Sequence, residues 1–336
     1  MWKIGNVEIQ NRIVTAPLAG ISNPVYRQLM HDFGAGLVVS EMISDKALHY
    51  ENARTFDMCR TSPGEHPVSL QLFGNDPVTM AEAAEYLTSH TDCDIIDINM
   101  GCPVQKVIRA KAGSYFMAHP EEAYDVVRAV VTHTDRPVTV KMRTGWDQQH
   151  ITCVELAQIV EKAGASAVAV HGRTRSQMYS GKSDLTWIKA VKEAVQISVI
   201  GNGDIHTVED AKHMLTYTGC DAIMVGRALI GKPFLIPELV AGLKGESYTE
   251  PSYEERLDLC YSYAGKLCEY EGEHTAMCEM RGITSYYLCG LPYASSYKAQ
   301  LAQVSTLEEM HVILEEYKSK IQQFQQEQAQ WQKENA

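Results

Sequence analysis

No apolar run in the 336-residue chain reaches the 18 or so residues of a membrane helix. The first stretch, MWKIGNVEIQNR, has no apolar centre of the kind a secretory signal carries. A cytoplasmic protein with no membrane partner is therefore expected. No C-x-x-C pair occurs, and the nine cysteines are odd in number, which favours free thiols in a reducing compartment over a disulfide framework. The last four (Cys260, Cys268, Cys278 and Cys289) are spaced by eight, ten and eleven residues, looser than the paired ligands of zinc or iron–sulfur sites. No metal is expected there, and buried helix-face thiols are. Positive charge is scarce too: 30 Lys and Arg stand against 42 Asp and Glu, a net charge of -12. Taken over the whole chain, that balance argues against a nucleic-acid partner, because phosphate contacts need Lys and Arg.

What the chain does have is regular alternation. Apolar residues make up 45% of it, enough for a sizeable core, and the length fits a large domain with a small one attached. Short β-rich runs recur roughly every 30 residues, the length of a strand–helix unit. They are Ile13–Ala16, Leu37–Ser40, Val68–Leu72, Ile95–Asn99, Val138–Met142, Ala167–His171, Ser198–Gly201 and Ala222–Val225. Most are apolar on both faces, as in a buried parallel sheet. Helical patterns stand between them at Pro77–Leu87, Pro120–Val131, Thr152–Ala163, Leu185–Val195 and Thr207–Leu215. Eight such units predict an α/β fold, a (β/α)8 TIM barrel over residues 1–244, with a doubly wound sheet as the alternative.

The pattern then changes. GESYTEPSYEE is a polar, proline-containing hinge, and beyond it the spacing predicts helices over 253–272, 275–288, 294–304 and 306–325. Residues 245–336 thus read as a small all-helical domain whose polar end, QQFQQEQAQWQKENA, is expected to fray.

In a barrel the C-terminal strand ends form the active face. The unusual residues of this sequence stand there: Pro17, Leu18 and Ala19; Gln71; Asn99 and Cys102; Lys141 and Arg143; His171, Arg173 and Arg175; Asn202, Gly203 and Asp204; Gly226 and Arg227. Glycines after the seventh strand, and Gly226-Arg227 opening the next helix, are the pattern of a phosphate site. Lys141 and Gln71 would be costly inside a barrel without partners. A polar ring system across the mouth satisfies both; a pair between Lys141 and a carboxylate is the plainer alternative.

The segments APLAGISNPVYR, QLFGNDP, DINMGCPVQKV, VKMRTGWD, HGRTRSQMYSG, IGNGDI and VGRALIGKPFL span the barrel in order. With them the chain resembles the tRNA-dihydrouridine synthases, most closely their bacterial B-type branch. The resemblance implies a flavin enzyme that reduces the 5,6 double bond of a uridine in RNA, most often tRNA. It implies FMN at the barrel mouth and NADPH, or NADH, as reductant. The FMN positions carry over to Pro17, Leu18, Ala19, Gln71, Lys141, His171, Asn202, Gly203, Asp204, Gly226 and Arg227. Asn99 matches a residue that contacts the uracil. Cys102 matches the catalytic cysteine, whose thiol gives a proton to C5 while hydride reaches C6. A free thiol has a pKa of roughly 8.5, so it is mostly protonated at neutral pH.

Two departures bear on the substrate. After the cysteine, relatives usually read Gly-Ala-Gly-Ser-Ala-Leu-Leu, where this chain has Lys111-Ala112-Gly113-Ser114-Tyr115-Phe116-Met117. A differently shaped cysteine loop is one expectation. In the helical domain only Arg281 remains of the usual basic set, and residues from 245 on hold 15 acids and 7 bases. The barrel loops 101–111, 143–149 and 172–182 reverse this, with seven cations (Lys106, Arg109, Lys111, Arg143, Arg173, Arg175 and Lys182) against Asp147 alone. RNA is therefore expected to bind at the mouth, with Arg173 and Arg175 as substrate contacts. The rival enzyme reading is a reductase or dehydrogenase of free pyrimidines such as dihydroorotate; ribosomal RNA is the rival substrate. An RNA-binding relative with dead chemistry is the weakest reading, because Cys102 and the whole FMN set are present.

Overall fold

The computed structural model describes residues 2–334. Eight parallel strands form the barrel: β1 (Ile13–Thr15), β2 (Val38–Ser44), β3 (Val68–Phe73), β4 (Ile95–Met100), β5 (Val138–Arg143), β6 (Ala167–His171), β7 (Ser198–Asn202) and β8 (Ala222–Val225). They hydrogen-bond in the order β1-β8-β7-β6-β5-β4-β3-β2. A parallel bridge between Val14 and Leu37 closes β1 onto β2, with Thr15 N donating to Leu37 O at 2.9 Å. The result is a (β/α)8 barrel, not an open doubly wound sheet.

β2 runs four residues past the apolar run that predicts it, to Ser44. A register shift between Val39 and Met42 re-aims this polar end, which carries Glu41. The strands are buried on both faces because helices cover the outside and side chains fill the inside. The inner cluster includes Val14, Val39, Ile95, Ala169, Ile200 and Met224. Ile4 and Ile9, from an antiparallel hairpin of Trp2–Ile4 and Val7–Ile9, belong to the same cluster and are fully buried.

The loop after β1 is fixed from below. Ser22 Oγ accepts from Leu18 N at 3.0 Å, and Arg27 donates to Ser22 O at 3.0 Å. Arg27 is itself buried in a two-pronged pair with Glu65, at 2.7 and 3.0 Å. Such a pair is a weak source of net stability but costly to break on one side, so its function is to hold the loop.

The contacts divide the chain into two units. One runs to Ala228 and takes in Ile236–Ser247; the other is Leu229–Leu235 with the chain from Tyr248 on. The second unit holds the helices Tyr253–Glu271, Glu273–Tyr287, Ala294–Leu301 and Leu307–Glu334. Ser252 starts the first with a reciprocal cap to Glu255, and stacked Tyr297 and Tyr317, centroids 4.1 Å apart, lie in its core. The last helix continues through the polar tail to Glu334, where fraying is the sequence expectation. A run of Gln, Glu and Lys has no helix breaker, and good propensity carries it on. The cysteine expectation fails in part: all nine thiols are free, but Cys278 and Cys289 are exposed. Cys289 lies past the end of its helix, where no apolar face exists to bury it. No helix among the described residues is long and apolar enough to cross a membrane.

Candidate active site

The polar residues inside β3 and β4 meet one another. Asp97, in an otherwise apolar run, is buried; Gln71 Nε2 donates to its Oδ2 at 2.6 Å and Thr139 Oγ1 donates to its Oδ1. Gln71 Oε1 accepts from Asn99 Nδ2 at 2.8 Å. Asn99 Oδ1 then accepts from the N–H groups of Gly101 and Cys102, at 3.1 and 2.8 Å. The direction of this chain is forced from both ends. A carboxylate only accepts and backbone N–H groups only donate, so both amides between them have one orientation. Gln71 therefore finds protein partners for both ends of its amide, where the sequence suggests a ring system alone.

Cys102 is half-buried at the end of this relay. Burial raises its thiol pKa above the ordinary value, against the opposing pull of the Val104 N–H, Arg143 and Lys141. That direction favours the protonated thiol at neutral pH. Arg143 fixes the same turn from the other side, with Nε to Gly101 O at 2.9 Å and Nη1 to Thr174 O and Met178 O at 2.9 and 2.8 Å.

Around them gathers positive charge with few acids. Lys141 has no direct ion pair among the described residues; its Nζ donates to Asn202 Oδ1 at 3.3 Å, and Asn202 Nδ2 donates to Met224 O at 2.7 Å. Burial, with Arg143 beside it, pushes the Lys141 pKa down to about 8. His171 is pushed down to about 2 by burial and by Lys141, Arg143, Arg173 and Arg227, so it is neutral. Arg173 is only 3% exposed. It pairs with both oxygens of Asp204 at 2.8 and 2.9 Å and donates to Ser180 O and Gly181 O. Arg143 and Arg173 are thus spent on the protein's own loops, which the count of mouth cations could not reveal. Arg175 lies over Trp146 at 4.3 Å, and Arg227 over the exposed ring of Tyr179 at 4.5 Å.

The predicted phosphate loops lie together. Gly203 has φ +129, and a Cβ there would meet Ser183 Oγ at 2.3 Å. That Ser183 Oγ is buried without a hydrogen-bond partner among the described residues, while the Ser183 N–H is taken by Asp204 Oδ2 at 2.8 Å. A Cβ on Gly226 would stand 3.3 Å from Ala16 Cβ and 3.9 Å from Leu18 Cδ2, so Pro17, Leu18 and Ala19 flank the loop after β8. Arg227 opens a 3-10 turn, Arg227–Leu229, rather than the helix expected there. Sequence reasoning missed Asp97, Thr139, Ser183, Tyr179 and Glu41, which accepts from Gly20 N. Only Asp97 left a signal, as a lone carboxylate within Ile95–Ile98.

The closed parallel barrel of eight strands, with polar and charged side chains gathered at its C-terminal strand ends, places the chain in the class of (β/α)8-barrel proteins. Within that class the chain belongs to the dihydrouridine synthase family: the family described as Dihydrouridine synthase (Dus) matches residues 14–328. The chain is 38% identical over 317 residues to tRNA-dihydrouridine synthase B of Vibrio cholerae, covering 94% of this chain and 98% of that protein. It is 40% identical over 300 residues to a probable tRNA-dihydrouridine synthase of Rickettsia bellii, covering 89% and 92%. The B-type protein of Shewanella oneidensis is 36% identical over 316 residues, covering 94% and 98%.

Proposed function

We propose that this protein reduces the 5,6 double bond of a uridine in tRNA, giving dihydrouridine, in the cytoplasm. The observation that carries the reading is the half-buried thiol of Cys102, its turn held by Asn99 and Arg143 at the β4 end, beside Lys141 and an excess of positive charge. A general acid must hold its proton at working pH, and burial, which raises the thiol pKa, favours that.

The site's residues fit FMN. Lys141 and Arg227 lack carboxylate partners among the described residues, Ser183 Oγ is buried and unpaired, and Gly203 leaves room that a Cβ would fill. Asn202, Gly203, Asp204, Gly226 and Arg227 would hold the phosphate end; Pro17, Leu18, Ala19, Gln71, Lys141 and His171 would border the ring. FMN, when bound, supplies hydride drawn from NADPH or NADH. Lys141 holds negative charge at the ring, neutral His171 adds none, and Cys102 delivers a proton to C5.

The acidity of the chain after residue 245 favours one second reading, a reductase of free pyrimidines such as dihydroorotate. The purified protein, given FMN and NADPH or NADH, should form dihydrouridine in unmodified tRNA, read by nucleoside mass spectrometry. Turnover of ribosomal RNA alone, or of free pyrimidines alone, would replace the tRNA reading.

FMN binding also carries a proton signature. Lys141 is half deprotonated near pH 8 when no anion is present. A bound anion favours its charged form and raises that pKa. Binding of about one FMN per chain should therefore take up protons above about pH 8 and almost none below about pH 7. Calorimetry in two buffers of different ionisation enthalpy reads this, and equal heats at both pH values would remove Lys141 from the site.

A further inference from the structure

We propose that the sugar-phosphate backbone of the substrate RNA docks on barrel segment 104–111 through Lys106, Arg109 and Lys111, and that the helical unit supplies no comparable electrostatic grip. This rests on the reading of the protein as a uridine reductase acting on RNA, and adds where the backbone of that RNA lies.

The argument sorts cations by whether the protein already uses them. Arg143 and Arg173 are buried and bonded to carbonyls and Asp204. In the helical unit, Arg256 donates to Tyr287 O and Cys289 O. Arg281, the remaining residue of the usual basic set, donates to Val304 O at 2.8 Å and Ser305 Oγ at 3.3 Å. Lys318 is held between Asp258 and Glu315. These charges brace their own fold, within a stretch that carries 15 acids.

Lys106, Arg109 and Lys111 differ from Arg256, Arg281 and Lys318 on every count. They differ from Lys266, Lys320 and Lys333 of the acidic stretch in having no acid near them in sequence, while Lys298 stands alone. All three barrel cations are exposed, and none makes an ion pair among the described residues. No acid occurs between Asp97, which is buried, and Glu121, which faces His119 at 3.5 Å. Lys111 has φ +56, a conformation that side chains other than glycine rarely adopt. Strain of that kind persists where the surroundings hold it, and it clusters at binding sites. Its surroundings are built: Lys111 Nζ lies 5.9 Å over the Tyr115 ring, and that ring stacks on His119 at 4.4 Å. The Tyr115 hydroxyl donates to Glu122 at 2.8 Å.

The segment is also tied to the thiol. Ser114 N donates to Cys102 O at 3.0 Å, and Gly113, with φ +62, would place a Cβ 2.9 Å from both Cys102 O and Val107 Cγ1. A uridine presented to Cys102 therefore brings its own and neighbouring phosphates across these three cations. Phosphate contacts fix register without reading bases, which suits an enzyme that must draw one nucleotide out of a folded RNA.

The test is binding of an unmodified tRNA transcript to the full chain, by fluorescence anisotropy across a salt series, with FMN content as the check on folding. The K106A/R109A/K111A variant should flatten the slope of log K against log salt by about two to three units. Near 0.15 M salt it should weaken binding by roughly 10–100-fold. The K266A/K298A/K333A variant, on the helical unit, should change the slope by less than about one unit. The reverse pattern, or an unchanged slope in the first variant with activity intact, overturns the docking surface alone. Wild-type protein that binds no RNA, yet reduces free pyrimidines, overturns the RNA reading and this surface with it.

Discussion

Replacing Cys102 with alanine should lower dihydrouridine formation by roughly 10²–10⁴-fold, the span that a lost general acid covers. FMN content and the rate of flavin reduction by the nicotinamide cofactor should hold. The reason is division of labour at the mouth. The cationic groups Lys141 and Arg227 and the loops around Gly203 lie apart from the thiol in the chain and keep their bonds without it. The thiol's own turn is held through backbone atoms, by Asn99, Arg143 and Ser114, and none of these bonds uses Sγ. Loss of both flavin and activity would mean a structural cysteine, and near-wild-type turnover would mean another acid.

The wild-type pH profile carries the same signature. As the proposed general acid, Cys102 would act in its protonated form, and burial raises its pKa. The rate should thus stay level through neutral pH and fall only at alkaline pH, above the roughly 8.5 of a free thiol. In Cys102→Ala the alkaline limb should vanish from whatever rate remains. An acid limb in the wild type, with activity rising as the thiol ionises, would instead mark a thiolate nucleophile.

The barrel was legible because burial on two faces leaves near-continuous apolar runs, and eight of them recur with helices between. The strand ends stood out as polar because Gln71, Asn99, Lys141 and His171 interrupt those runs. What the sequence could not reveal was pairing across strands. Asp97 and Gln71 are 26 residues apart in the chain but 2.6 Å apart in the barrel, joined only by the β3–β4 register. The same holds for charge. Seven mouth cations look alike in a count, yet Arg173 is closed over Asp204 while Lys106 is free in solvent. Lys111 is a third case. Its departure from the usual residue predicts a differently shaped loop, and the structure has Lys111 in a left-handed conformation there, with φ +56.

Asn99→Leu should expose how much of the site is that relay. Leucine has nearly the shape of asparagine but neither donates nor accepts. Three bonds go at once: the two N–H groups of Gly101 and Cys102 lose Oδ1, and Gln71 Oε1 loses Nδ2. Asn99 is 7% exposed, so water does not replace them where they stand. Each buried group left unpaired costs about 1–3 kcal/mol, and the cheapest relief is for the 101–104 turn to swing out to solvent. On the proposed mechanism a displacement of that kind is worth on the order of 10²-fold in rate, because it would carry the thiol away from the carbon it is to protonate. The thermal midpoint should fall, kcat should fall more than KM rises, and iodoacetamide should alkylate Cys102 faster in RNA-free protein, followed peptide by peptide because Cys278 and Cys289 are exposed as well. If Asn99 acts only by touching the uracil, KM rises while the alkylation rate of Cys102 without RNA stays at the wild-type value. That outcome would leave the Asp97–Gln71–Asn99 chain as packing inside the barrel and take the positioning of the thiol away from it.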